Sequence, residues 1–341
     1  VTTSTSDTYC AGTIRVSSDN FSTCVKMSSS PASSNSNKTF TVDPSDNLSY
    51  STTYKTRVTT GVKDIVGNTL SSQYETSSGF ITADLTAPAF VAVGLSGNIV
   101  RSTDNGSSFD NATIDNSTTN HLIGVTFGNN TFVAVGFNGN IVKSTNNGSS
   151  WDNATSPTAG GIWGVTFGNN TFVASALDGN IVRSTDNGSS WDNTTSPTAI
   201  DLNAVTFGNN TFVVVGYTGN IVRSTDNGSS FDNVTSPTAN DLNAVTFGNN
   251  TFVAVGSAGN IVRSTDNGSS WDNVTSPTIY NLWGVTFGNN TFMAVGFSGT
   301  IVRSTDNGSS WDNATSPTSN DLKGVTFGNN TFVAVGNSGN I

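Results

Sequence analysis

The sequence predicts an all-β protein in which a small, partial β-sandwich precedes a β-propeller of four-stranded blades. One observation is a repeat of 40 residues, marked by Phe132, Phe172 and their successors. Another is that each unit holds four short apolar or alternating runs separated by turn residues, with no helical periodicity. A period near 40 with four strands is typical of propellers. A solenoid, which also buries each repeat against the next, is the alternative.

An eight-residue phrase, Ser-x-Asp-x-Gly-x-x-aromatic, marks six of the units and is called the turn phrase below. In the copy at residues 184–191, Asp186 can accept hydrogen bonds from turn amides and Gly188 can adopt positive φ. Trp191 is predicted to bury its ring under the turn. The corresponding positions elsewhere are Asp104, Asn146, Asp226, Asp266 and Asp306, with the aromatic residues Phe109, Trp151, Phe231, Trp271 and Trp311.

The turn phrase could also be a fragment of a calcium loop, because Asp, Asn and Gly are common there. Such a loop needs several oxygen ligands and usually ends on a bidentate acid. No Glu follows the phrase, since the single Glu of the chain is Glu75. We therefore predict a structural turn, with no metal and no cofactor.

The number of blades follows from the two incomplete units. The unit that begins at Phe90 lacks a first strand, and the last unit stops at Ile341 before its own turn phrase. Closing a six-bladed ring would leave residues 332–341 unused. We expect seven blades with the chain cut inside the last, and a six-bladed ring is the alternative. The propeller domain is predicted to span residues 87–341 at about 40 residues per blade.

The turn phrase resembles the Asp-box, or bacterial neuraminidase repeat, over about 250 residues. That repeat occurs in sialidases, sortilin-type receptors and photosystem assembly factors. The resemblance implies a propeller in which the Asp and the aromatic residue of each turn are structural. It implies little about function, because these families do such different things.

Residues 1–86 do not repeat and are predicted to form a β-sandwich, with strands at 13–16, 39–42 and 54–58 and a linker at 84–88. Phe40, Tyr50, residues 60–68 and Phe80 resemble a bacterial Ig-like domain of the type found in large surface proteins. The resemblance implies one or two further strands ahead of Val1, which leaves an open edge.

Composition points to an extracellular protein that does not bind nucleic acid. The net charge is −10, whereas nucleic-acid binding relies on clustered Lys and Arg. No run of 18 apolar residues exists, so we expect no membrane insertion. Cys10 and Cys24 are predicted to form a disulfide, which implies an oxidising compartment. We therefore expect a secreted or cell-surface protein.

Sequence offers little support for catalysis. Basic residues occupy one repeat position (Arg101, Lys143, Arg183, Arg223, Arg263 and Arg303), so they are spread around the ring and are predicted to pair with nearby Asp. Three arginines converging on a carboxylate and a Tyr-Glu pair, which a sialidase needs, are therefore not expected. His121 is the single histidine, which disfavours a Ser-His-Asp triad or a zinc site. We predict that the protein is not an enzyme.

The repeats differ from one another mainly in two loops, which alternation of turns places on one face of the propeller. Exposed aromatic residues there suit stacking on sugars or anchoring a protein partner. Drift of unselected turn residues is the other interpretation. The predicted ligand-binding residues are Phe137, Trp163, Asp178, Tyr217, Tyr280, Trp283 and Phe297.

These observations predict a non-catalytic extracellular binding or display protein whose variable face contacts a glycan or a surface protein. One alternative is a purely structural component of a surface layer or filamentous appendage, assembled with copies of itself through open strand edges. The other is a divergent sialidase-like glycan hydrolase.

Overall fold

The computed structural model describes residues 1–46, 48–49, 52–81, 90–104, 107–114, 120–328 and 330–339. Tyr50 and the predicted linker at 84–88 lie outside these residues. The chain divides into two compact units, Val1–Pro88 and Ala89–Ile341. Helix in the described residues is limited to three-residue 3-10 turns, so the predicted all-β class is confirmed.

The first unit contains two small antiparallel sheets. Its strands are β1 (Ile14–Ser17), β2 (Ala32–Ser34), β3 (Thr39–Thr41), β4 (Thr53–Val58), β5 (Tyr74–Glu75) and β6 (Phe80–Ile81). Strand β4 pairs with β1, β5 and β6, and β2 pairs with β3. Val16, Met27 and Tyr54 form the buried core. A disulfide joins Cys10 to Cys24, with 4.8 Å between their α carbons.

The second unit is a series of antiparallel sheets, one for each repeat, and the first two hold most of its irregular features. They comprise β7 (Phe90–Val93), β8 (Ile99–Ser102) and β9 (Asp110–Asn111), then β10 (Thr113–Ile114), β11 (Leu122–Gly128), β12 (Thr131–Gly136), β13 (Ile141–Ser144) and β14 (Ser150–Ala154). Strand β10 runs parallel to β14 on the outer edge of the neighbouring sheet. The first sheet therefore has three strands, and the second has four of its own.

Four further complete sheets and one two-stranded sheet follow. Their strands are β15 (Ile162–Gly168), β16 (Thr171–Ala176), β17 (Ile181–Ser184), β18 (Asp192–Asn193); β19 (Leu202–Gly208), β20 (Thr211–Gly216), β21 (Ile221–Ser224), β22 (Asp232–Val234); β23 (Leu242–Gly248), β24 (Thr251–Gly256), β25 (Ile261–Ser264), β26 (Asp272–Val274); β27 (Leu282–Gly288), β28 (Thr291–Gly296), β29 (Ile301–Ser304), β30 (Asp312–Asn313); and β31 (Leu322–Gly328), β32 (Thr331–Gly336).

A 3-10 turn follows the second strand of each of the seven described repeats and joins it to the third strand in the first six. These turns are η1 (Leu95–Gly97), η2 (Phe137–Gly139), η3 (Leu177–Gly179), η4 (Tyr217–Gly219), η5 (Ser257–Gly259), η6 (Phe297–Gly299) and η7 (Asn337–Gly339). The middle residue of each turn adopts positive φ, for example 55° at Asp178. The first residue varies between repeats, so the sheets present different side chains on a constant turn.

The core lies between neighbouring sheets. Val133 and Val135 of β12 pack with Phe172 of β16 and with Trp191 in one buried cluster, and the other neighbouring sheets repeat this arrangement. All six residues of β12 are buried, as are those of β16, β20 and β24. Burial on both faces explains why these strands are apolar throughout rather than alternating.

The turn phrase is held by a network centred on its Asp. Oδ1 of Asp186 accepts hydrogen bonds from the Ser184 hydroxyl and the Ser190 amide, both at 2.9 Å, and Oδ2 accepts one from the Ser190 hydroxyl at 2.6 Å. The Ser184 hydroxyl in turn accepts from the amide of Gly188. The ring of Trp191 is buried, and its Nε1 donates to the Gly188 carbonyl at 3.2 Å.

The turn phrase also contacts the preceding sheet. The side-chain amide of Asn227 donates to the Thr171 hydroxyl at 2.7 Å, and Nε of Arg183 donates to the Asn227 carbonyl at 2.9 Å. Arg101 and Arg263 contact the next turn phrase in the same way. The predicted Arg–Asp pairing is therefore wrong for these residues, because each guanidinium reaches across to the next sheet instead of along its own.

Acid should unfold the second unit through the Asp residues of the turn phrase. The hydrogen bond from Ser190 is the largest influence that lowers the pKa of Asp186 from 3.8 to about 2, and the pKa values of Asp104 and Asp306 are also lowered to about 2. Since folding lowers these pKa values, their contribution to stability is complete above about pH 4 and disappears as the pH falls towards 2.

Replacing the five Asp residues together by Asn should flatten the dependence of the melting temperature on pH between 4 and 2. The natural Asn146 provides the precedent, because it keeps the bonds to Ser144 and Ser150 without a charge. Thermal denaturation of both proteins followed by circular dichroism measures the effect. Parallel pH profiles for the two proteins would contradict this account.

Candidate functional site

One repeat position surrounds a cavity of about 580 Å³ within the second unit, called the central cavity below. It is the second residue of the first strand in each of six sheets. These residues are Ile123, Trp163, Asn203, Asn243, Trp283 and Lys323. Each lies where the register with the second strand shifts, as between Ile162 and Gly164. The bulge leaves the residue outside the regular ladder, which frees its side chain to line the cavity.

Trp163 is held from one side by aromatic contacts. Phe137 of η2 meets its ring edge-on, with 5.4 Å between ring centroids, and His121 lies 5.3 Å from Phe137. Nε1 of Trp163 is buried without a hydrogen-bond partner. An indole N–H in this state carries a desolvation cost that a ligand acceptor would relieve.

Trp283 belongs to a second aromatic cluster and is covered on one face by a cation. Nζ of Lys323 lies 3.2 Å from the ring centroid and 3.3 Å from Oδ2 of Asp321. Phe297 of η6 lies 6.1 Å from Trp283 and 5.7 Å from Tyr280. The face of Trp283 that could stack on a ligand is therefore occupied by Lys323, which must move before stacking occurs there.

Asn203 and Asn243 were not among the predicted site residues. Each donates from its side-chain amide to the first-strand carbonyl of the next sheet, at Leu242 and Leu282, both at 2.9 Å. These bonds fix the two side chains at the cavity wall. Aligning the repeats at their 40-residue period would have revealed Asn203 and Asn243. Their position varies between repeats, whereas the Gly/Ala-Val-Thr-Phe sequence that follows is nearly constant.

The predicted residues divide into three groups in the structure. Trp163, Tyr217 and Trp283 line the central cavity. Phe137 contacts Trp163, Phe297 contacts Trp283, and Tyr280 contacts Phe297. Each of these three side chains is more than a third exposed. Asp178 is exposed and does not line the cavity; its amide donates to Oδ1 of Asp201 at 2.8 Å. The site is thus an aromatic and amide-lined concavity with one charged lining residue, Lys323, among the described residues.

Sequence comparison assigns both units to known domain types. Residues 4–82 match the family model of the bacterial Ig-like domain, and residues 197–323 match that of the DUF6242 β-propeller domain. The predicted Ig-like domain and the predicted propeller are therefore confirmed. Bacterial Ig-like domains are typical of surface proteins, and the two domains together fit a non-catalytic binding protein. Curated proteins contain no match to the sequence.

Solved structures that resemble this chain are β-propellers. YCF48 bound to D1 peptide is 17% identical, with a TM-score of 0.62 over 74% of this chain and 86% of that one. YCF48 from Cyanidioschyzon merolae is 16% identical, with a TM-score of 0.60 over 74% and 89%. The computationally designed Ika8 protein is 15% identical, with a TM-score of 0.59 over 91% and 93%. Identities this low establish the fold alone.

None of the helices in the described part of the chain has the length and apolar character that a membrane crossing requires.

Replacing Lys323 by Ala should expose Trp283 to solvent quenchers, because the cation covering its ring is removed. A Trp163→Phe background leaves Trp283 as the least buried indole, since Trp151, Trp191, Trp271 and Trp311 are at most 6% exposed. Acrylamide quenching of tryptophan fluorescence should then rise, whereas Lys26→Ala, at an exposed site of the first unit, should leave it unchanged. Equal quenching in the two variants would contradict the contact.

Proposed function

We propose that this protein is a non-catalytic extracellular binding protein that holds a glycan at the central cavity. The observation that carries the proposal is the Nε1 of Trp163, which is buried without a partner at the wall of a cavity of about 580 Å³. The volume of the cavity lies within the range of roughly 300–1,000 Å³ that is typical of small-molecule sites.

Sugars match the lining because they combine apolar ring faces with many hydroxyl groups. Trp163 and Tyr217 offer aromatic surface, and the fixed amides of Asn203 and Asn243 offer polar atoms at defined positions. Small-molecule sites commonly combine a mainly apolar and aromatic lining with a few polar groups that fix the orientation of the ligand. A protein loop would need a larger apolar patch than these half-exposed rings provide.

Binding is favoured over turnover by the chemistry of the lining. Hydrolysis of a glycoside generally uses a pair of carboxyl groups near the scissile bond, and sialidases use a Tyr nucleophile together with acidic residues. The described residues that line the central cavity include neither a carboxylate nor a histidine, and Asp321, outside the lining, is paired with Lys323. Tyr217 lines the cavity, but the sialidase-like alternative lacks, among the described lining residues, the Glu of a Tyr-Glu pair and an acidic general acid.

Three finer predictions form part of this proposal: the number of blades, the identity of the turn phrase and the location of the protein. We infer that the ring has seven blade positions, since seven consecutive repeats each contribute a sheet to the second unit. The turn phrase is inferred to be an Asp-box on the strength of its Ser, Asp, Gly and aromatic contacts. A secreted or cell-surface location agrees with the Ig-like domain and with the Cys10–Cys24 disulfide.

Replacing Trp163 by Ala should weaken glycan capture by about 2 kcal/mol, on the order of thirtyfold, because a central aromatic contact is lost. Trp163→Phe keeps most of the ring but lacks the N–H, so it should cost about 1 kcal/mol. Binding to a panel of immobilised neutral and acidic oligosaccharides, with fluorescence as the readout of bound protein, measures the affinity loss of both variants. Tyr74→Ala, which removes an exposed aromatic side chain from the first unit, is the matched control.

Unchanged capture by the Trp163 variants would refute the site, and the absence of capture by the parent protein would refute the glycan proposal. Release of reducing sugar from any captured oligosaccharide would show turnover and overturn the non-catalytic assignment. Thermal melts of each variant establish that loss of capture does not reflect unfolding.

A further inference from the structure

Lys323 is the one charged side chain among the described residues that line the central cavity. At the same repeat position the other lining residues are Ile, Trp or Asn, so a single repeat places a cation there. Nζ of Lys323 lies 3.2 Å from the ring centroid of Trp283 and 3.3 Å from Oδ2 of Asp321. The Lys323 side chain is 48% exposed, so it can change partners without unpacking the core.

The carboxylate of Asp321 keeps hydrogen bonds of its own when Lys323 moves away. Its Oδ1 accepts from the backbone amide of Ser298 at 3.1 Å. Its Oδ2 accepts from the side-chain amide of Asn337 at 3.3 Å. A carboxylate that retains two donors is not left unpaired by the loss of a third, so release of Lys323 carries little penalty at Asp321.

Two other repeats show that this Asp does not require a lysine. Asp201 and Asp241 occupy the position of Asp321 in their own repeats. Each accepts from the backbone amide of the middle residue of a 3-10 turn, at 2.8 and 2.9 Å. The residue two positions further on is Asn in both repeats, where the last repeat has Lys323. The turn is therefore held equally well beside a neutral side chain.

Trp163 and Lys323 both line the central cavity, and both carry N–H donors. Nε1 of Trp163 is buried without a hydrogen-bond partner, and the ammonium group of Lys323 has three N–H groups to donate. The side-chain amides of Asn203 and Asn243 already donate to main-chain carbonyls. An ionised carboxylate accepts hydrogen bonds and donates none, so a ligand that carries one complements the donors of this lining.

We propose that the ligand of the central cavity is an acidic glycan, and that Lys323 pairs with a carboxylate on one of its sugar rings. This proposal rests on the proposed function. In the free protein the ammonium group covers Trp283. The sugar carboxylate draws the ammonium group off the ring, and the uncovered indole face then stacks on the sugar. The charges on both partners make this hydrogen bond stronger than one to a neutral sugar hydroxyl.

Nearby acidic residues restrict where the sugar carboxylate can bind. Asp201, Asp241 and Asp321 each lie two residues before the cavity-lining residue of their strand, and the chain has a net charge of −10. Like charges repel a carboxylate from these positions, which leaves Lys323 as its partner in the lining. A neutral sugar does not displace the ammonium group, so Trp283 stays covered and contributes no stacking surface.

The test compares trisaccharides of galacturonic, glucuronic and mannuronic acid with their methyl esters, which keep the same rings and linkages without the charge. Isothermal titration calorimetry on the full chain measures the affinity for each member of a pair. The acid should bind on the order of tenfold more tightly than its ester, because the ester cannot form the charged hydrogen bond. The preference should shrink as salt is added, since Lys323 is partly exposed.

Lys323→Met is the deciding variant, because Met keeps an unbranched apolar side chain and lacks the charge. Binding of the acid should fall to the level of the ester, and binding of the ester should not fall. A disturbance of the fold would weaken both ligands alike, so the ratio of the two affinities isolates the charge. Lys323→Arg should retain the preference. Lys26→Met, which removes a charge from an exposed site of the first unit, should leave both affinities unchanged.

The outcomes distinguish this proposal from the one on which it rests. Equal affinity of the parent protein for acid and ester, or a preference that survives Lys323→Met, would overturn the role of Lys323 while glycan capture at the central cavity still stood. Failure of the parent protein to bind any acid or neutral oligosaccharide would overturn both proposals.

Discussion

The second unit depends on a phenylalanine ring that lies directly on a glycine of the preceding sheet. The ring of Phe167 covers Gly128, and the same pair recurs around the series as Gly168–Phe207, Gly208–Phe247, Gly248–Phe287 and Gly288–Phe327. Any larger residue than glycine would force the first strands apart, since a Cβ would meet ring carbons at 2.0–2.6 Å. This close approach brings the first strands of neighbouring sheets together at five consecutive junctions.

The outer and inner parts of each repeat also contact the neighbouring sheet. The outer part of the repeat is clamped by the turn phrase, which joins Asn227 to Thr171 and Arg183 to Asn227 across two sheets. The inner part is clamped by Asn203 and Asn243 through their bonds to the next first strand. Asn203 and Asn243 occupy the bulged position of their first strands, and it is at this position that the other repeats place Trp, Lys or Ile.

Much of the fold could be predicted from local sequence, whereas the partners across sheets could not. The roles of Asp186, Gly188 and Trp191 follow from a turn of a few residues, so spacing alone reveals them. The partner of Arg183 lies 44 residues away, on a neighbouring sheet, and depends on the ring spacing rather than on any local pattern. The bulge that turns Asn203 toward the central cavity is likewise a property of strand register, and the cover of Trp283 by Lys323 requires both sheets in place.

The glycine–phenylalanine stack also bears on how the chain reaches its native state. Because the stacking strands share nearly one sequence, a first strand that meets the wrong glycine during folding finds almost the same contacts as the correct one. Sequence-distant strand pairing is slow, and such mispaired states are traps of comparable depth. Discrimination between them falls to the few positions where the repeats differ, so the residues that vary at the central cavity also help to specify the order of assembly.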